Sequence, residues 1–256
     1  MTGWALDLDG VVWLADEPLP GAAAAIARLR ERGHEVVFVT NNSSVPVGLV
    51  EDKLARFGIP ARGAVITSAQ VAAELVSPDE TALICAGPGV EEALLARGVA
   101  IVGEGDADVV VVGYHRDFDY HRLTVASTAI RRGARLLATN DDATYPTPDG
   151  PIPGGGAILA AVVVASGATP IIAGKPHNAM IETVRRRLGG RGVMVGDRPD
   201  TDGRFARGLG FTFGLVLSGV TKQSDLPVDP EPDIVAADLA ELVDQMLGRN
   251  ESHGQG

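Results

Sequence analysis

Short apolar runs of β-forming residues alternate with longer stretches of helical periodicity along most of the chain. Ala5-Leu6-Asp7-Leu8 reads as a strand running straight into Asp9-Gly10. Glu35-Val36-Val37-Phe38-Val39 reads as a buried strand that ends at Thr40-Asn41-Asn42-Ser43-Ser44. Between them, Pro20 to Arg32 begins with proline, carries alanines throughout and meets Gly33, which predicts a helix. Val47 to Phe57, stopped by Gly58, and Ser68 to Val76 predict two more. From about Thr81 the alternation restarts. Leu83 to Ala86, Ala100 to Val102, Val109 to Val112 and Leu136 to Thr139 predict strands, with helices at Val90 to Arg97 and Tyr120 to Arg132. A turn-rich loop, Thr147 to Gly156, precedes a small-residue helix from near Ala157. Ile171-Ile172, Val193 to Val195 and Thr212 to Leu217 predict further strands, with helices at Asn178 to Leu188 and after Thr201.

That alternation predicts an α/β fold with a mostly parallel sheet. No fixed repeat and no charged or low-complexity linker divides the chain, so a second domain is expected to be inserted rather than appended. The expected boundaries are 1–66 with 174–256 for one domain and 67–173 for the insert. The tail from Glu251 to Gly256 is polar and small and is expected to lack order.

Composition narrows the function without naming it. The 256 residues are 45% hydrophobic and 21% charged, as in soluble globular proteins. A net charge of −11 opposes binding to nucleic acid or an anionic membrane. The longest apolar run, Ala157 to Ala165, is about half the roughly twenty residues that a membrane span needs. With no signal-peptide pattern either, the expected location is the cytoplasm. The one cysteine, Cys85, sits among apolar residues and reads as core. His115, His121 and His177 match no zinc-ligand spacing. Gly87-Pro88-Gly89 and Gly154-Gly155-Gly156 fit turns better than a dinucleotide fingerprint.

Candidate chemistry lies at strand ends, where open α/β sheets bind ligands. Asp7 and Asp9 follow the first strand, Thr40 and Asn41 the second, Lys175 a third, and Asp197 a fourth, with Asp200 and Asp202 close behind. Two carboxylates placed two residues apart repel unless a cation or a proton separates them. Magnesium takes oxygen ligands octahedrally and keeps several waters. Asp7 and Asp197 can offer carboxylate oxygens and Asp9 its backbone carbonyl, while Lys175, Thr40 and loop amides can receive a phosphate. Tyr114 to Tyr120, with His115, Arg116 and Asp117, is a candidate for selecting the organic part of a substrate, and equally reads as a solvated loop. Asp141 and Asp142 either meet substrate or are exposed loop residues.

These motifs resemble those of the haloacid dehalogenase (HAD) superfamily of phosphatases. Leu6-Asp7-Leu8-Asp9-Gly10-Val11-Val12 is similar to the first motif, Val39-Thr40-Asn41-Asn42-Ser43 to the second, Gly174-Lys175-Pro176 to the third and Gly196-Asp197 through Asp202 to the fourth. Thr40 to Ser44 and Ala138 through Gly156 resemble the NagD-like branch, class IIA. The resemblance implies a Rossmann-like core with an α/β cap inserted between the second and third motifs. It also implies a Mg2+-dependent phosphatase acting on a small phosphorylated metabolite, such as a sugar phosphate, glycerol phosphate, phosphoglycolate or nucleoside monophosphate. By position, Asp7 would attack phosphorus and form an aspartyl-phosphate. Asp9 would protonate the leaving alcohol and then activate water. Thr40, Asn41 and Lys175 would hold the phosphoryl group, Asp7, Asp9 and Asp197 the metal, and Asp202 would support those ligands from behind. A cap of this kind can also form a homodimer interface. A phosphotransferase or mutase sharing the intermediate, and a phosphate-binding module without turnover, stand as alternatives. The fourth motif departs from the family, which commonly has Asn at the position of Arg198 and an apolar residue at that of Gly203.

Overall fold

The computed structural model describes residues 2–147 and 150–253. In chain order its elements are β1 (Gly3–Leu6), β2 (Trp13–Leu14), β3 (Glu17–Pro18), α1 (Ala22–Glu31), β4 (Glu35–Thr40), α2 (Val47–Arg56), β5 (Val65–Thr67), α3 (Ser68–Glu74), β6 (Thr81–Cys85), α4 (Pro88–Ala96), β7 (Ala100–Val102), β8 (Val109–Val112), α5 (Tyr120–Arg131), β9 (Arg135–Ala138), β10 (Thr144–Tyr145), β11 (Ile152–Pro153), α6 (Gly155–Ser166), β12 (Ile171–Ile172), α7 (Asn178–Leu188), β13 (Gly192–Gly196), α8 (Arg204–Leu209), β14 (Thr212–Val216), β15 (Ile234–Ala236) and α9 (Leu239–His253). They group into two compact units. One is Met1–Val39 with Glu51–Val65 and Ile181–Gly256; the other is Thr40–Val50 with Ile66–Met180.

The first unit is built on a six-stranded sheet in the order β15-β14-β13-β1-β4-β5. Strand β1 lies between β13 and β4, parallel to both, with Leu6 level with Val195 and Phe38. All four β1 residues are buried, because the central strand of a parallel sheet is covered on both faces. Trp4, Phe38, Phe205 and Phe213 are the largest apolar side chains buried almost completely there, and helices α1 and α9 pack on each other.

The second unit carries its own parallel sheet, in the order β12-β9-β8-β6-β7. One core of Leu83, Cys85, Val110, Val112, Leu136 and Ala138 faces Ala126, Ile130, Leu159 and Val162. Burial of the Cys85 thiol raises its pKa to about 11, as expected for an inert core cysteine.

Three local expectations change. A π-helical turn, Pro199–Gly203, precedes α8, so the helix after Thr201 starts later than its sequence suggests. The short hairpins β2–β3 and β10–β11 are too brief to leave a periodic signal. Finally, α9 continues through His253, past the expected start of the loose tail, and residues 254–256 lie outside the described residues. Pro148 and Asp149 of the turn-rich loop lie outside them too.

Candidate active site

In the first unit, the carboxylates collect at the ends of two adjacent strands. Asp7 extends β1 by one residue, its N–H donating to the Val195 carbonyl at 2.9 Å. Asp197 follows β13 directly. Asp202 lies in the π-helical turn: its N–H donates to the Arg198 carbonyl at 2.7 Å, and the Gly203 N–H reaches the same carbonyl at 3.3 Å, the wider i to i−5 bond of that turn. The Asp202 carboxylate accepts the Arg198 N–H at 3.2 Å. One oxygen from each of Asp7, Asp197 and Asp202 lies within 4.8 Å of the others, and all three residues are buried. The family resemblance implies that Asp202 supports the ligands from behind, and its carboxylate lies beside those of Asp7 and Asp197.

Burial first, then repulsion from Asp202 and Asp7, pushes the Asp197 carboxyl well above the usual carboxylate range. The Val220 N–H, donating to Asp197 Oδ2 at 2.6 Å, and the charge of Arg198 oppose that push; the Thr221 hydroxyl donates to the Asp197 backbone carbonyl at 2.6 Å. The turn after β14 supplies these donors, and no residue pattern along the chain announces it. Its approach is close enough to require glycine: a Cβ at Gly219 would strike the Asp197 carboxylate. Gly10, at φ +79°, would meet the Gly219 backbone at 2.8 Å. Gly203 also has a reason, because a Cβ there would press on the Phe213 ring at 2.8 Å. Three buried carboxylates with only oxygen donors fit a hard divalent cation, which would offset their mutual repulsion.

Asp9 is not part of that cluster. Its carboxylate is half-buried and accepts a hydrogen bond from the Trp13 indole N–H at 2.9 Å.

In the second unit, the residues at the end of β4 form a hydrogen-bonded hub. Thr40 Oγ1 accepts the Asn42 N–H at 3.0 Å, and Asn42 Oδ1 accepts the Ser44 N–H at 3.0 Å, which fixes the turn. Asn41 is engaged on every polar atom of its carboxamide. Its Oδ1 accepts the Lys175 N–H at 2.8 Å, while its Nδ2 donates to the Lys175 carbonyl and to Asp142 Oδ2, both at 3.0 Å. Its backbone carbonyl accepts from Ser68 Oγ at 2.7 Å and Asn140 Nδ2 at 2.8 Å. Lys175 itself is 2% exposed. A Cβ at Gly174 would lie 2.5 Å from Asn41 Oδ1, so glycine there permits the approach.

The Asp142 contact with Asn41 takes it out of the class of idle loop residues. Asp141 pairs with His177 Nε2 at 3.1 Å, which holds its carboxyl below the usual range. His115 Nδ1–H donates to the Gly113 carbonyl at 2.9 Å, and His121 pairs with Glu104 at the surface. The glycines of Gly87-Pro88-Gly89 admit the backbone of Ser43 to Val45, in keeping with a structural turn.

Among the described residues, no helix is long and apolar enough to cross a membrane. Residues 4–100 match a family model described as haloacid dehalogenase-like hydrolase, and residues 172–242 match a second, HAD-like hydrolase model. A 5'-nucleotidase of Bacillus subtilis, YutF, is 35% identical over 243 residues, covering 92% of this chain and 94% of that protein. The structure of p-nitrophenyl phosphatase from Archaeoglobus fulgidus matches with a TM-score of 0.90 at 30% identity, over 95% of this chain and 98% of that one. A glycerol phosphate phosphatase from Mycobacterium tuberculosis, solved in complex with magnesium, matches with a TM-score of 0.86 at 34% identity, over 94% of this chain and 76% of that one. The same enzyme has been solved in complex with calcium. The chain belongs to the haloacid dehalogenase-like hydrolases, in their NagD-like branch, and is a hydrolase of phosphate monoesters.

Proposed function

We propose that the chain is a Mg2+-dependent phosphatase that transfers the phosphoryl group of a small metabolite to Asp7 and then to water. The observation that carries this reading is the buried trio Asp7, Asp197 and Asp202, with carboxylate oxygens within 4.8 Å of one another at the ends of β1 and β13. Such a trio is costly without a cation, and a hard divalent cation suits it. When bound, the cation would neutralise the carboxylates and the charge of a phosphate, and the Asp9 backbone carbonyl is assigned to the same ion.

The protein groups then divide the chemistry. A carboxylate oxygen of Asp7 forms a bond to phosphorus as the bond from phosphorus to the organic oxygen breaks. The Asp9 carboxyl delivers its proton to that leaving oxygen. In the second half, Asp9 takes a proton from water, whose oxygen attacks phosphorus and frees inorganic phosphate and Asp7. Covalent capture splits one hard displacement into two easier ones. Thr40, Asn41 and Lys175 are assigned to the phosphoryl group, and a buried ammonium suits a dianion. We read 67–173 as a cap that selects the organic part. The relatives named for action on nucleotides, glycerol phosphate and nitrophenyl phosphate point to monoesters of small alcohols.

The test is phosphate release from a panel of phosphorylated sugars, polyols and nucleotides, with Mg2+ and with a chelator, for the native chain and Asp7→Asn. Cation-dependent release that Asp7→Asn abolishes is the expected result. Release of full size in the chelator, or in the variant, would sink the proposal.

A further inference from the structure

Trp13 has no part in the mechanism so far, yet it touches one of its acids. The chain turns tightly after Asp9: the Gly10 N–H donates to the Trp13 carbonyl at 2.7 Å, and the Val12 N–H to the Leu8 carbonyl at 2.8 Å. That turn folds the indole of residue 13 back onto the carboxylate of residue 9, with a Nε1 to Oδ1 distance of 2.9 Å. Trp13 is 5% exposed, and a buried indole N–H needs an acceptor.

The ring is gripped on its other sides. Phe57 meets it edge-on, with centroids 6.1 Å apart, and the Lys53 ammonium lies 4.6 Å from the ring centroid. Lys53 also donates to the Ala15 carbonyl and to Asp16 Oδ1, so it ties down the hairpin that carries the tryptophan. A Phe at position 13 would keep an aromatic ring in this packing while removing the donor and part of the indole's volume.

We propose that Trp13 is a positioning residue for Asp9, holding the carboxyl at one oxygen so that the other faces the leaving group. The inference rests on Asp9 being the acid that protonates the leaving oxygen. A misplaced acid hurts most when the leaving group needs the proton. An alkoxide departs poorly without it, whereas p-nitrophenolate is stable as an anion. The quantity kcat/KM covers the steps through departure of the organic group, so it isolates this half-reaction.

The experiment measures the ratio of kcat/KM for glycerol 3-phosphate to that for p-nitrophenyl phosphate, in the native enzyme, Trp13→Phe and Asp9→Asn. Trp13→Phe is expected to lower the ratio about tenfold, a fraction of what a general acid contributes. Its stabilisation by Mg2+ should stay near the native value. Asp9→Asn should lower the ratio further. A Trp13→Phe ratio equal to the native one, with Asp9→Asn lowering it, would overturn the positioning role and leave the acid in place. An Asp9→Asn ratio equal to the native one would remove the acid assignment and the inference with it. Should Trp13→Phe fail to fold, Lys53→Met leaves the indole but loosens its grip; a fall of a few-fold in the ratio supports the role, and no fall counts against it.

Discussion

The two polar clusters of this chain are held in opposite ways. In the first unit, Asp7, Asp197 and Asp202 are like charges packed together, and backbone N–H groups such as that of Val220 only partly offset them. In the second unit, the Asn41 carboxamide exchanges hydrogen bonds with the Lys175 backbone and donates to the Asp142 carboxylate. The first arrangement leaves like charges unbalanced; in the second, the Asn41 carboxamide is fully hydrogen-bonded as folded. The lesson is that a ligand-requiring site can be recognised by where electrostatics is left unbalanced, and a preorganised one by where it is closed.

Removing a member of each cluster should therefore have different consequences, and the largest is expected at Asp7. Asp7→Asn should reduce kcat by roughly three orders of magnitude or more, as loss of a nucleophile does. The fold should be intact, because the amide relieves repulsion. Loss of the folded state in that variant would contradict the picture of a strained cluster.

A second test sharpens the same contrast through pH. The folded-state pKa of Asp197 is raised above its unfolded value, so the folded chain holds that proton more tightly. Its contribution to stability is full below the ordinary carboxylate value of about 4 and is lost as pH rises through the raised value. In a chelator, Asp197→Asn should flatten this part of the pH dependence of the melting temperature. Added Mg2+ should stabilise the native chain at neutral pH and the variant much less. Equal stabilisation of both by Mg2+ would place the cation elsewhere.

The hub of the second unit makes a narrower prediction. Asn41→Asp replaces the donors to Asp142 and Lys175 with a carboxylate facing Asp142, and should lower both kcat and stability. An unsatisfied or repelling buried pair of this kind costs about 1–3 kcal/mol. Adding Asp142→Asn should restore part of the loss by returning a donor to the pair. Absence of any rescue would mean that Asn41 acts chiefly on the phosphoryl group. The smallest effect on activity is expected from modifying Cys85, which has no part in either cluster. With its thiol buried and its pKa raised to about 11, alkylation at pH 8 should be at least about a hundredfold slower in the folded chain than in urea. Comparable rates would mean that the core of the second sheet opens readily.

Much of this was legible in the residues. Strands β1, β4, β8 and β13 are continuous apolar runs, since a parallel strand buried on both faces must be, and each announces itself locally. Aspartates placed just past β1 and β13 were readable for the same reason. The Trp13 contact was not, because a hairpin of two-residue strands leaves no periodic pattern and residue 13 reads simply as apolar core. Asn41 was legible as a residue of the loop after β4; the packing of 140–142 and 174–175 around its carboxamide was not.

Local chemistry by itself thus determined the alternating α/β architecture, the family, and the acids and lysine at the strand ends, because those depend on neighbours within a few positions. The tertiary structure decided which of the acids share one site, why Gly10, Gly174, Gly203 and Gly219 admit no side chain, and which side chains orient the others. Those properties depend on atoms brought together from segments as far apart as residues 41 and 175 or 10 and 219. No spacing along the chain encodes a distance of 3 Å between them.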